Sequence, residues 1–163
     1  MPKNYKPAMG RGDDGTTGLL TGGRVSKTDV RIKANAVIDE LSAWLGLAKT
    51  TKGLATEARG GLTAAQKTLF DVAAHIAGLD RAALIKSKTR ALDADIRRLA
   101  GKTDKIRAFA VSGKSEGEAV LHLARARCRS AEILAWHVKR AGPCAVYLNR
   151  LSDYLFLAAV TAR

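Results

Sequence analysis

Ser115-Glu116-Gly117-Glu118-Ala119-Val120-Leu121-His122-Leu123-Ala124-Arg125-Ala126-Arg127-Cys128-Arg129-Ser130-Ala131-Glu132-Ile133-Leu134-Ala135-Trp136, running on through His137-Val138-Lys139-Arg140 to Gly142-Pro143, is the stretch on which the fold turns. Ser115 and Glu118 stand in capping-box order and open a helix. It is the longest in the chain, reaching about Arg140. Gly142 ends it, and Pro143 suits the first turn of a last helix that runs to the C-terminus. His122, Arg125, Arg129 and Glu132 recur at spacings of 3, 4 and 3, so they share one helix face. Such a polar stripe is either a solvated face with an Arg–Glu pair or a buried site whose guanidinium groups hold phosphate.

Working outward, the last helix carries Tyr147, Asn149, Arg150 and Asp153 among Leu148, Leu151, Leu155 and Phe156. Polar groups in apolar surroundings need partners, on this chain or on another subunit. Asp39-Glu40 offers a complement to Arg125 or Arg150. Toward the N-terminus, Ile38, Leu41, Leu45 and Ala48 make one apolar helix face. Thr63 with Gln66 reads as a capping box opening a helix through Leu69, Phe70, Ala73 and Ile76, closed by Gly78. Asp80 caps the next helix, which carries Leu84, Ile85, Leu92, Ile96 and Leu99 and stops at Gly101. Five helices, no convincing strand and no internal repeat point to an all-α, antiparallel five-helix bundle over residues 30–163. Connections are short except around 49–62 and 101–114. Residues 1–29 are rich in glycine, lack a helical period and read as an irregular arm; together with the bundle they make one domain.

A chain of 163 residues with 47% hydrophobic and 26% charged residues has enough apolar material for a core, which argues against disorder. No apolar run approaches the ~20 residues of a membrane span, and the N-terminus lacks an apolar signal core. Two cysteines, Cys128 and Cys144, make neither a disulfide framework nor a four-ligand zinc site, so a reducing cytoplasm is the simplest compartment. The net charge of +13 draws the chain to polyanions: nucleic acid, nucleotides or an acidic membrane surface. Aromatic residues, at 5%, are too few for a base-stacking platform.

The arm holds Gly12-Asp13-Asp14-Gly15-Thr16-Thr17-Gly18 and then Gly22-Gly23-Arg24-Val25-Ser26-Lys27. Glycines let backbone N–H groups approach an anion, hydroxyls add donors and Lys27 adds a point charge. The segment suits wrapping a polyphosphate, although it lacks Walker-loop order; a flexible arm with turns is the plain alternative. His75 sits on a mixed helix face and reads as core or surface. Cys128 lies between arginines that would lower its pKa, yet a helix-packing cysteine is the simpler reading. Residues 81–107 are strongly basic, which is ordinarily a solvated helix.

These stretches together resemble the PduO-type ATP:cob(I)alamin adenosyltransferases. The resemblance rests on four segments: the arm from Gly12 through Lys27, Asp39-Glu40-Leu41, Leu121 through Glu132, and Tyr147-Leu148-Asn149-Arg150-Leu151-Ser152-Asp153-Tyr154-Leu155-Phe156. It implies a five-helix bundle assembled as a homotrimer, with active sites between adjacent subunits. ATP would be wrapped by one subunit's arm and meet the long helix of its neighbour. By position, Gly12, Gly15, Thr16, Thr17 and Lys27 look like arm contacts to ATP, and Arg129, Glu132 and Asn149 like helix contacts. Asp39 and Arg125 look like an intersubunit ion pair, Arg150 and Asp153 like structural or interface residues, and Phe109 like the aromatic residue against the corrin's lower face. The implied reaction transfers the 5′-deoxyadenosyl group of ATP to cob(I)alamin with Mg²⁺, releasing tripolyphosphate. A corrinoid-reducing or cobalamin-dependent enzyme would be a natural partner.

The sequence also departs from that pattern. Met9, Gly10 and Arg11 stand where the family usually has Thr-Arg/Lys-Thr, Ser130 stands where it has a second arginine, and Ala110-Val111-Ser112-Gly113 replaces a Pro-Gly-Gly-like turn. The alternative is a non-catalytic nucleotide- or corrinoid-binding member of the same fold. A helical nucleic-acid-binding protein ranks last, because it gives the C-terminal segment no role.

Overall fold

The computed structural model describes residues 9–103 and 111–162. Five helices follow a short hairpin: β1 (Thr16–Gly18), β2 (Arg24–Ser26), α1 (Val30–Thr50), α2 (Thr56–Ile76), α3 (Ala82–Ala100), α4 (Glu116–Trp136) and α5 (Gly142–Thr161). The helices close a ring in the order α1, α2, α3, α5, α4. Leucines such as Leu41, Leu69, Leu121, Leu148 and Leu151, none more than 1% exposed, fill its interior. Each comes from a helical face with the i, i+3, i+4 period, which is why the bundle buries them together. None of the described helices is long and apolar enough to cross a membrane.

Helix starts follow local chemistry. The Asp29 carboxylate accepts from the Arg31 N–H at 2.9 Å and caps α1. Ser115 Oγ accepts from the Glu118 N–H at 3.2 Å, as the capping box requires. The Glu118 carboxylate reaches back to the N–H groups of Gly113 and Lys114, at 2.6 and 3.0 Å. Burial works against its charge, yet these donors outweigh burial and hold the carboxyl below its usual range. Asp80 Oδ1 accepts from the Ala82 N–H at 3.1 Å at the start of α3.

Four expectations are corrected. The arm is not wholly irregular: β1 pairs antiparallel with β2, Thr17 opposite Val25. Strands of three residues carry too little alternation to be read, and the turn uses Gly22 and Gly23 at φ 90° and 78°, where other residues are strained. The second helix begins at Thr56, not at Thr63. Thr63 Oγ1 donates to the Arg59 carbonyl at 2.9 Å, and Gln66 Nε2 reaches the Ser42 carbonyl on α1 at 2.7 Å. Gly61, inside this helix, is a packing position where the Tyr154 ring meets the α2 backbone. The long helix ends at Trp136, and residues 137–141 form the turn into α5. Phe70, 74% exposed, and Leu84, 39% exposed, do not join the apolar faces on which they were expected.

Candidate active site

In the arm, the Asp14 carboxylate accepts from the Thr16 N–H at 2.9 Å and its hydroxyl at 2.8 Å. These bonds, backbone first, hold the Asp14 carboxyl below its ordinary value, with help from Arg24. Arg24 Nε donates to Thr16 Oγ1 at 2.9 Å, and its Nη2 donates to the Arg11 carbonyl at 3.0 Å. Arg24 therefore locks the loop from outside, a role that residue-by-residue reading missed; its register opposite Gly18 is the signal. Lys27 donates its backbone N–H to the Gly15 carbonyl at 2.9 Å, and its side chain folds back over Gly12. A Cβ on Gly12 would sit 3.2 Å from Lys27 Nζ and 3.0 Å from the Thr16 carbonyl. Gly12, Gly15, Thr16 and Lys27 are thus brought into one small loop. Thr17 lies on β1 beside it.

On the helices, Glu132 Oε1 accepts from Asn149 Nδ2 at 3.4 Å and from Trp136 Nε1 at 3.4 Å. Asn149 Oδ1 accepts from Arg150 Nη1 at 2.8 Å, and Arg150 Nε pairs with Asp93 at 3.1 Å. A polar chain therefore runs from α4 through α5 to α3. Arg129 is exposed beside it and has no ion-pair partner among the described residues. Asp153, expected within a polar cluster in apolar surroundings, is exposed and apart from this chain, because the α5 rotation turns it outward. Arg150 takes Asp93 as its partner rather than Asp39-Glu40.

Asp39 is exposed, and Arg125 is half-buried with its guanidinium 5.8 Å above the Phe156 ring. Arg125 Nε is buried without a hydrogen-bond partner. Among the described residues neither Asp39 nor Arg125 has an ion-pair partner. The neighbouring positions pair instead: Glu40 binds Arg127 and accepts from Trp44 Nε1 at 3.2 Å. Asp39-Glu40 was expected to complement Arg125 or Arg150; Glu40 instead takes Arg127, which went unassigned because it lies between the residues of the polar stripe. His122 pairs with Glu118 at 3.2 Å and faces the Phe156 ring, centroids 6.2 Å apart. Phe109 lies outside the described residues.

Cys128 is fully buried and donates its S–H to the Leu148 carbonyl at 3.1 Å. Burial pushes the thiol well up, and Arg129 offsets little of it, so the expected acidifying effect of the flanking arginines is absent. No group of three or more His, Cys, Asp or Glu that would hold a metal occurs among the described residues.

The arm and the helix residues belong to one end of the bundle. A cavity of about 270 Å³ there is lined by Val30, His75, Gly78, Asp80 and the 137–140 turn. Thr21, at the hairpin tip, donates its hydroxyl to the Ala77 carbonyl at 3.3 Å. Arg129 and Glu132 lie in the last turns of α4, and Asn149 lies in the second turn of α5. Among the described residues no hydrogen bond or ion pair joins the arm to Arg129, Glu132 or Asn149 of the same chain.

The family model described as cobalamin adenosyltransferase matches residues 8–162. A corrinoid adenosyltransferase from Citrobacter freundii is 35% identical, the match covering 95% of this chain and 93% of the relative. A corrinoid adenosyltransferase from Mycobacterium bovis is 37% identical, with coverage of 93% and 85%. Among solved structures, a variant PduO-type ATP:corrinoid adenosyltransferase from Lactobacillus reuteri, complexed with cobalamin and ATP, superposes with a TM-score of 0.82 at 26% identity. It covers 93% of this chain and 90% of that one. With a family match over nearly its whole length, the five-helix bundle and the hairpin arm, this chain belongs to the cobalamin adenosyltransferase family.

Proposed function

We propose that this protein transfers the 5′-deoxyadenosyl group of ATP to a corrinoid in the cobalt(I) state. The observation that carries the reading is the loop of Gly12, Gly15, Thr16 and Lys27, a glycine-rich hairpin arm with its lysine folded over Gly12, at the bundle end where α4, bearing Arg129 and Glu132, passes into α5, bearing Asn149. The cobalt(I) electron pair attacks C5′ of the ribose. A cobalt–carbon bond forms, the C5′–O bond breaks, and tripolyphosphate leaves with the bonding pair. Cobalt supplies the nucleophile; the chain supplies position and charge.

Lys27, Gly12 and Gly15 would receive the triphosphate, with Thr16 holding the loop and Thr17 beside it. Arg129 would meet the growing charge of the leaving group, and Asn149 with Glu132 would hold the nucleoside. Mg²⁺ needs few protein ligands when a triphosphate supplies oxygens. The exposed carboxylate of Asp13, without a side-chain hydrogen bond among the described residues, fits that need, and there the ion would neutralise the leaving group. Phe109 would cover the corrin's lower face.

We place the site between subunits of a homotrimer. Three features support this: among the described residues, no hydrogen bond or ion pair from the arm to Arg129, Glu132 or Asn149, an unpartnered Arg125 Nε with Asp39 likewise unpaired, and exposed apolar residues on α4. Leu123, Ile133 and Trp136 are 50, 57 and 59% exposed there. Asp39 of one subunit would pair with Arg125 of the next, and Arg150 and Asp153 would serve the same interface region. A cytoplasmic location and hand-over of product to a cobalamin-dependent enzyme complete the proposal. The phosphorus product tests it. Tripolyphosphate is expected; diphosphate plus phosphate would mean a different bond is broken.

A further inference from the structure

His75 ends α2 with its side chain only 7% exposed. Its ring touches three backbone groups in two turns. Nε2 lies 3.1 Å from the Arg140 carbonyl, in the turn between α4 and α5. Nδ1 accepts from the Arg81 N–H at 3.0 Å and lies 3.0 Å from the Leu79 carbonyl, in the turn between α2 and α3. A carbonyl only accepts, so Nε2 carries the proton and donates to Arg140. Arg140 adopts φ 69°, a conformation that a non-glycine residue keeps only where its surroundings hold it.

The two turns joined by His75 are the seat of the arm and the link between the helices that bear Arg129, Glu132 and Asn149. The 137–141 turn links the helix bearing Arg129 and Glu132 to the helix bearing Asn149. The start of the other turn is the seat of the arm: Thr21 donates to the Ala77 carbonyl at 3.3 Å, and its side chain lies so close to Gly78 that a Cβ there would meet it at 3.2 Å. We propose that His75 is a positioning residue for ATP, bolting the seat of the hairpin arm to the α4–α5 turn. The bolt fixes the angle at which the arm leaves its own bundle, whichever subunit's helices it meets. This inference rests on the reading that the arm binds ATP.

Two substitutions separate the bolt from general stability. His75→Gln sets an amide N–H near the place of Nε2 and keeps a donor for Arg140; His75→Asn reaches only the place of Nδ1. ATP affinity is measured by calorimetry on the full chain, alongside cob(I)alamin KM and melting temperature. His75→Gln is expected within about twofold of the parent protein, and His75→Asn weaker for ATP by about five- to tenfold, the scale of one lost hydrogen bond, with cob(I)alamin KM unchanged. Thr21→Val removes only the seat's hydroxyl from an exposed position and is expected to weaken ATP binding by a similar factor. Equal ATP affinity in both His75 variants, parallel losses for both substrates, or an unaffected Thr21→Val would overturn the bolt. A parent protein that binds no ATP would instead sink the ATP reading of the arm.

Discussion

Asn149 on α5 donates to the carboxylate of Glu132 on α4 across 3.4 Å, and that contact orients its other amide atom toward Arg150. The amide is therefore fixed in rotation, with Glu132 and Arg150 already defining which atom faces which way. In the proposed site, this preorganised polar pair would hold a nucleoside without reordering on binding.

Arg129→Ala and Asn149→Ala separate binding from folding. Arg129 is exposed, so its loss is expected to leave the melting temperature within about 2 °C and to reduce activity at least tenfold, as removal of a charge-stabilising contact does. Asn149→Ala also breaks the link to Glu132, so a small stability loss of about 1 kcal/mol accompanies its activity loss. Melting curves beside steady-state rates check both.

Gly12→Ala puts a methyl group 3.2 Å from Lys27 Nζ and 3.0 Å from the Thr16 carbonyl. The lysine end must swing away, and the Thr16 carbonyl must give by a few tenths of an ångström with the loop backbone. ATP KM is expected to rise about tenfold or more while the bundle's melting temperature holds, since the arm contributes little to the core. An unchanged KM would show that Lys27 does not need its seat over Gly12.

Gly61→Ala attacks the fold alone. Its Cβ would overlap the Tyr154 hydroxyl and lie 2.7 Å from Cζ of that ring. The ring must shift within a packed seam, at a cost of about 1–3 kcal/mol, which is a drop of roughly 2–12 °C in melting temperature. ATP KM is expected to stay near that of the parent in the folded fraction.

These cases show where sequence reading succeeded and where it stopped. The buried face of α1 was legible because a long helix repeats its period often enough to be counted: Ile38, Leu41, Leu45 and Ala48 are all buried. The start of α2 was misread because Thr63 and Gln66 stand in capping-box order, when Thr63 bonds back to the Arg59 carbonyl inside the helix and Gln66 reaches across to α1. The arm's ligand-like residues were legible as a glycine-rich motif, but the Arg24–Thr16–Asp14 lock was not, since it depends on hairpin register. The pairing of Glu40 with Arg127 depends on helix rotation, which spacing alone does not fix between two helices.

Asp29 gives the fold an acid-sensitive cap. Bonds from the Arg31 side chain, then its backbone N–H, lower the Asp29 carboxyl from 3.8 to about 2. A carboxyl that is more acidic in the folded chain stabilises it fully above its unfolded value, near pH 4, and that contribution disappears as pH falls toward 2. Asp29→Asn keeps the cap's acceptor but not its charge, so its stability is expected to vary less with pH across that window. Asp29→Ala removes the cap as well and is expected to cost about 1 kcal/mol at neutral pH. Denaturant titrations at pH 2, 4 and 7 distinguish the three proteins.

The most direct test of the central claim is the corrin absorbance spectrum of cob(I)alamin mixed anaerobically with this protein and Mg-ATP. The account predicts conversion to the spectrum of adenosylcobalamin, with one tripolyphosphate released per corrin converted, despite Met9, Gly10, Arg11 and Ser130. A spectrum that stays at cob(I)alamin while calorimetry shows ATP bound would contradict it, and would mark the chain as a binding member of its family whose chemistry has been lost.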